Sequence, residues 1–103
     1  MKIATISYDG PPIRVAVALP VSNWCPVTHE PQAGSTVTFR YTPDAQLLDI
    51  LDLAWLAPDG EWPRDLEVAA VYLQTHASVA LGVSVSLVAR FVLASGVMVE
   101  CWV

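Results

Sequence analysis

The stretch Val83–Leu93 constrains the fold more than any other part of the chain. Val83, Val85, Leu87, Ala89, Phe91 and Leu93 alternate with Ser84, Ser86, Val88, Arg90 and Val92. A period of two puts one set on each face of a β-strand, and eleven residues are too many for an incidental run. Ala94-Ser95-Gly96 then supplies turn residues, and Val97–Val103 returns as a last strand. A hairpin of this length buries one apolar face, so the rest of the chain must cover it.

The preceding segments fit that demand. Ile3–Tyr8 reads as a short strand closed by Asp9-Gly10-Pro11-Pro12. Ile13, Val15, Val17 and Leu19 alternate with Arg14, Ala16 and Ala18, and Pro20 is expected to end that strand. Thr36–Tyr41 alternates again, and the two strands are expected to pair antiparallel across the intervening loop. Asp44 reads as the N-cap of a helical segment through Leu47, Leu48, Leu51 and Trp55, broken at Pro58-Asp59-Gly60. A second helix starts near Pro63, with Asp65 and Glu67 suited to its positive end. Leu66, Ala69, Ala70, Leu73 and Ala77 have the spacing of a helix lying on a sheet, and Gly82 marks its end. The expected class is α+β: an antiparallel sheet with two helices on one face, as one domain over residues 1–103.

Composition narrows the partners. Hydrophobic residues are 54% and charged residues 15% of the 103. A chain this short buries roughly 60–70% of its unfolded surface, so the apolar excess predicts a homo-oligomer. The net charge is −5, and Lys2, Arg14, Arg40, Arg64 and Arg90 are scattered, which argues against a nucleic-acid partner. No apolar run approaches the roughly 20 residues of a membrane span. The two cysteines, without a signal-peptide pattern, are expected to stay reduced in the cytoplasm.

Cys25 stands on a loop stiffened by Pro26 and Pro31, in Asn23-Trp24-Cys25-Pro26-Val27-Thr28-His29-Glu30-Pro31-Gln32, and Tyr41-Thr42-Pro43-Asp44 follows the next strand. This pattern resembles the tunnelling-fold superfamily of GTP cyclohydrolase I, the pterin synthases and the queuosine nitrile reductase. It is nearest to the last, which acts on cyano-deazaguanine. That family reads Ser-x-Cys-Pro-x-Thr-Gly-Gln-Pro-Asp around its nucleophile, then a strand ending Tyr-x-Pro-Asp. The likeness runs from about residue 13 to 93 and is specific over 20–44. It implies a ββααββ subunit of an oligomeric barrel, binding a deazaguanine or purine-type base at subunit interfaces.

The departures are as informative. Gln32 stands where the family has an acid. The family's cofactor motif, Glu-Ser-Lys-Ser-x-Lys, falls on Asp49-Ile50-Leu51-Asp52-Leu53-Ala54, and Lys2 is the sole lysine. NADPH phosphates need such cations, so no cofactor is expected. The family's Phe-His-Glu is not intact either; Glu67 or Asp65 is the nearest carboxylate. Short amidinotransferase-like relatives, which add ammonia to the same nitrile, also lack the cofactor motif and are the nearer analogue.

The resemblance implies that Cys25 is a nucleophile whose thiolate adds to a nitrile carbon to give a thioimide. His29 and Glu30 are candidates for acid–base work in place of the missing aspartate; a solvated loop tip is the alternative. Glu67, Trp24 and Thr28 are the ligand-binding candidates. Glu67 would accept ring N–H groups, unless it serves only the helix dipole. Trp24 would stack on a heterocycle, though most of the four tryptophans are expected in core or interface. Cys25 can instead be a small hydrophobe in a tight loop. A zinc site from Cys25, His29 and Cys101 is a weaker alternative, and no metal is expected. A catalytically inert relative, serving as a binding or assembly subunit, is the competing functional reading.

Overall fold

A computed structural model describes residues 3–53 and 65–103. The strands are β1 (Thr5–Ser7), β2 (Val15–Val21), β3 (Ser35–Tyr41), β4 (Gln46–Leu48), β5 (Val85–Val92) and β6 (Met98–Trp102). Two helices, α1 (Ile50–Leu53) and α2 (Leu66–Leu81), separate β4 from β5. The four-stranded sheet has the order β2-β3-β5-β6, and β1 pairs with β4 in a second, two-stranded sheet. Every pairing is antiparallel. The α+β class with antiparallel sheets and two helices therefore holds.

The long alternating run behaves as its period requires. Val85, Leu87, Ala89 and Phe91 are buried, while Ser86 and Arg90 face out. Of the expected stripe of α2, Ala69, Ala70, Leu73 and Ala77 are buried, joined by Leu81, while Leu66 is half-buried. Alanines at the contact let the helix approach β5 closely, and the core continues into Val37, Phe39 and Leu19. Gly82 closes the helix at φ 68°, donating its N–H to Ser78 O at 2.9 Å. This left-handed cap is open to glycine without the steric cost a Cβ brings.

Two local expectations are corrected. Pro20 does not end its strand: β2 continues to Val21, with Pro20 opposite Thr36. The strand order explains the tolerance, since β2 is an edge strand and needs ladder bonds on one side only. The helix expected from Asp44 through Leu47 and Leu48 is instead β4. Leu48 N–H donates to the buried hydroxyl of Tyr41 at 2.9 Å, and Thr5, Ile6 and Ser7 pair with Leu48, Leu47 and Gln46. Helix α1 begins only afterwards, with Asp49 as its cap: its carbonyl accepts from Leu53 N at 3.0 Å and its Oδ1 from Leu51 N at 3.3 Å. Trp55, Trp62, Pro63 and the Pro58-Asp59-Gly60 break lie outside the described residues, as does Ala54 of the cofactor-motif segment. No helix among the described residues is long and apolar enough to cross a membrane.

Candidate functional site

The loop between β2 and β3 carries Cys25, as the strand pairing demands: Val21 opposes Ser35, and thirteen residues must turn between them. The loop folds back on itself. Asn23 N–H donates to Pro31 O at 2.7 Å, and both Trp24 N–H and Cys25 N–H donate to Glu30 O at 3.0 Å. His29 N–H donates to Cys25 O at 2.8 Å, closing a turn over Pro26-Val27-Thr28. Within that turn Thr28 N–H points at Cys25 Sγ, 3.4 Å away.

Three anchors fix this loop to the sheet. Trp24 is half-buried and meets Phe91 edge-on, with centroids 5.6 Å apart and planes at 69°. Glu30 Oε1 accepts from Ala94 N–H at 2.9 Å, joining the loop to the β5–β6 turn. Ser35 is buried at 0% exposure; it donates from Oγ to Gln32 O and accepts Val92 N–H, both at 2.8 Å. Gln32 N–H also donates to Val92 O at 2.8 Å.

The candidates therefore separate. Cys25, Thr28, His29, Glu30 and Trp24 are assembled in one loop. Thr28 is exposed and contributes its N–H to the sulfur and its Oγ1 to Glu30 N–H at 3.4 Å. His29 is exposed, with Nδ1 2.9 Å from Asn23 Oδ1. Donation from Nδ1 to that carbonyl leaves Nε2 with the free lone pair a base requires. His29 adopts φ 58°, a left-handed conformation suited to glycine, at the position where the resembled motif has glycine. The Glu30 carboxylate holds Ala94 N–H and lies 3.5 Å from Gln32 Nε2, which also donates to His29 O at 3.1 Å. Gln32 is thus a donor where the family's acid would accept.

Glu67 lies apart in the chain, exposed in the first turn of α2. Its charge acts on Cys101 of β6: burial foremost, then Glu67, raises the Cys101 thiol above its ordinary pKa. Neither cysteine is in a disulfide. Among the described residues no three His, Cys, Asp or Glu side chains gather as a metal site would need, so Cys25, His29 and Cys101 form no ligand set. His76, on α2, lies against Tyr72 with ring centroids 4.1 Å apart and planes tilted by 48°.

A labelling order follows. Both the burial and the Glu67 charge disfavour the Cys101 anion, so its thiolate fraction at pH 8 is below that of an ordinary thiol and rises only at higher pH. Iodoacetamide is expected to modify Cys25 first, and Glu67→Gln to speed Cys101 alone. Peptide mass mapping over a time course reads both sites; equal rates in the wild type would contradict this assignment.

The residues that sequence reading missed are Ser35 and Ala94. Ala94 acts only through its backbone N–H, which leaves no trace in composition, and a serine opening a strand carries no signal of burial. Comparison with protein-family models and with curated protein sequences finds no match for this chain.

Proposed function

We propose that this chain is a nitrile-reductase-like, tunnelling-fold protein that binds a purine- or deazaguanine-type base beside the Cys25 loop. Cys25 attacks the nitrile carbon as a thiolate, forming the C–S bond of a thioimide while the nitrile nitrogen takes a proton. His29, through Nε2, is the nearest group of the loop for moving that proton. Ammonia then adds to the same carbon and the thiolate leaves, giving an amidine with no change of oxidation state and no need for NADPH. Glu67 is the candidate anchor for the ring N–H groups, and the working form is a cytoplasmic homo-oligomer with sites at subunit interfaces.

The observation that carries this reading is the Thr28 N–H directed at Cys25 Sγ in a loop pinned to β5 and its following turn. Cys25 is half-buried rather than enclosed, and a thiol with a donor beside its sulfur is compatible with a nucleophile's role. A second reading, an inert binding or assembly subunit, is favoured by Glu30, whose carboxylate is engaged by Ala94 N–H rather than left for proton transfer.

Intact mass after incubation with cyano-deazaguanine separates them. The expected result is an adduct of one ligand mass on the wild type and none on Cys25→Ala. A thermal shift without an adduct would move the protein to the binding class. Neither signal would remove the deazaguanine reading.

A further inference from the structure

The face of the four-stranded sheet that α2 leaves uncovered carries a second cluster, at the opposite end of the strands from Cys25. Pairing sets Arg40 between Ala16 on β2 and Ser86 on β5. Arg14, Thr42 and Ser84 lie just beyond the last paired residues, Val15, Tyr41 and Val85, and line the same depression as Arg40 and Ser86. Two guanidinium groups and three hydroxyls therefore share it, and all five side chains are exposed. The depression is open, with a volume of about 490 Å³, within the size range of small-molecule sites.

Its charge is out of keeping with the rest of the chain. The net charge is −5, yet among the described residues no carboxylate lines this depression. Among the described residues Arg90 is paired with Glu100 at 3.3 Å, whereas no ion-pair partner is found there for Arg14 or Arg40. Two neighbouring cations with no counter-charge repel one another, and an anion between them relieves that repulsion. A carboxylate is satisfied by a single guanidinium fork. Two forks backed by hydroxyl donors match a group with more oxygens and more charge.

We propose that Arg14 and Arg40 hold the phosphate groups of a small molecule on this face, with Thr42, Ser84 and Ser86 donating to the remaining oxygens. The six residue steps of β2 place this site about 20 Å from the cysteine loop, so it does not depend on the chemistry assigned to Cys25.

Isothermal titration calorimetry with inorganic pyrophosphate, a nucleoside diphosphate and the uncharged nucleoside tests the proposal. Saturable binding of both phosphorylated probes and none of the nucleoside is expected. Equal affinities mean that the phosphates alone are recognised, and tighter nucleotide binding means that the nucleoside adds contacts; either supports the site. Arg14→Gln and Arg40→Gln are each expected to weaken binding at least about tenfold, the loss of a charge-assisted hydrogen bond. Arg40→Lys, keeping charge but losing the fork, falls between. Arg90→Gln removes the same charge elsewhere and is expected to change little; far-UV circular dichroism checks that each variant is folded. A loss in Arg90→Gln equal to that in Arg40→Gln, or no saturable binding to the wild type, would overturn the proposal.

Discussion

Phe91→Ala is expected to lower the unfolding free energy by about 3–5 kcal/mol, the range for deleting a fully buried aromatic ring. Phe91 has 0% exposure and is among the largest side chains wholly enclosed by the fold. It stands at the end of β5, where its ring also receives the edge of Trp24. Truncation therefore leaves a cavity in the core and strips the cysteine loop of its aromatic support. Small domains hold about 5–15 kcal/mol in total, so the variant retains little margin. Urea titration should show the midpoint falling with the slope unchanged. In a variant that keeps Trp24 as the sole tryptophan, fluorescence should shift toward the solvent-exposed spectrum before global unfolding. A loss below about 1 kcal/mol, the ordinary effect of a minor site, would mean that Phe91 does not join core and loop as described.

Ser35→Ala removes only one oxygen, yet is expected to cost about 2–3 kcal/mol. The Ser35 hydroxyl is enclosed and serves two backbone groups at once, Val92 N–H and Gln32 O. Gln32 O keeps a bond from Ser35 N–H at 3.3 Å. Val92 N–H keeps no such substitute among the described residues, and leaving a half-buried donor unsatisfied adds to the loss of the bond itself, up to about 1–3 kcal/mol for a buried one. Hydrogen exchange gives a local reading: Val92 N–H should exchange faster in Ser35→Ala, while the amides of Leu87 and Ala89, farther along β5, should slow or quicken only with global stability. Unchanged exchange at Val92 would show that water replaces the hydroxyl freely.

Periodicity made most of this architecture readable. The strand at Val85–Val92, the buried alanine stripe of α2, the Gly82 cap and the antiparallel pair flanking Cys25 each rest on a pattern within about a dozen neighbours. Gln46–Leu48 misled because Leu47, Leu48 and Leu51 have helical spacing, and three strand residues are too few to show alternation. Its state is decided by β1 and the Tyr41 hydroxyl, which local propensity does not register. Pro20 misled for a related reason: whether a proline can sit in a strand depends on whether that strand lies at an edge, and edge position is a property of the whole sheet.

The candidate site divides in the same way. That Cys25 sits in a loop between two antiparallel strands was readable from the alternation on either side of it. That Thr28 N–H faces the sulfur, or that Glu30 holds a backbone group, depends on turn geometry and on distant residues. The Arg14–Arg40 cluster was invisible as well: read linearly the two cations are scattered, and only the pairing of β2 with β3 brings them to one depression.

The anchors of the cysteine loop also set an order in time. The Glu30–Ala94 bond spans 64 residues and the Ser35–Val92 bond spans 57. A ribosome must therefore deliver the chain through residue 94 before the loop made long before can take its final shape. Contacts of such separation form late, since the closure entropy of the intervening chain must be met first. Until then Cys25 rides on an untethered segment, so a nascent chain halted ahead of Val92 would carry the thiol without the arrangement that aims it.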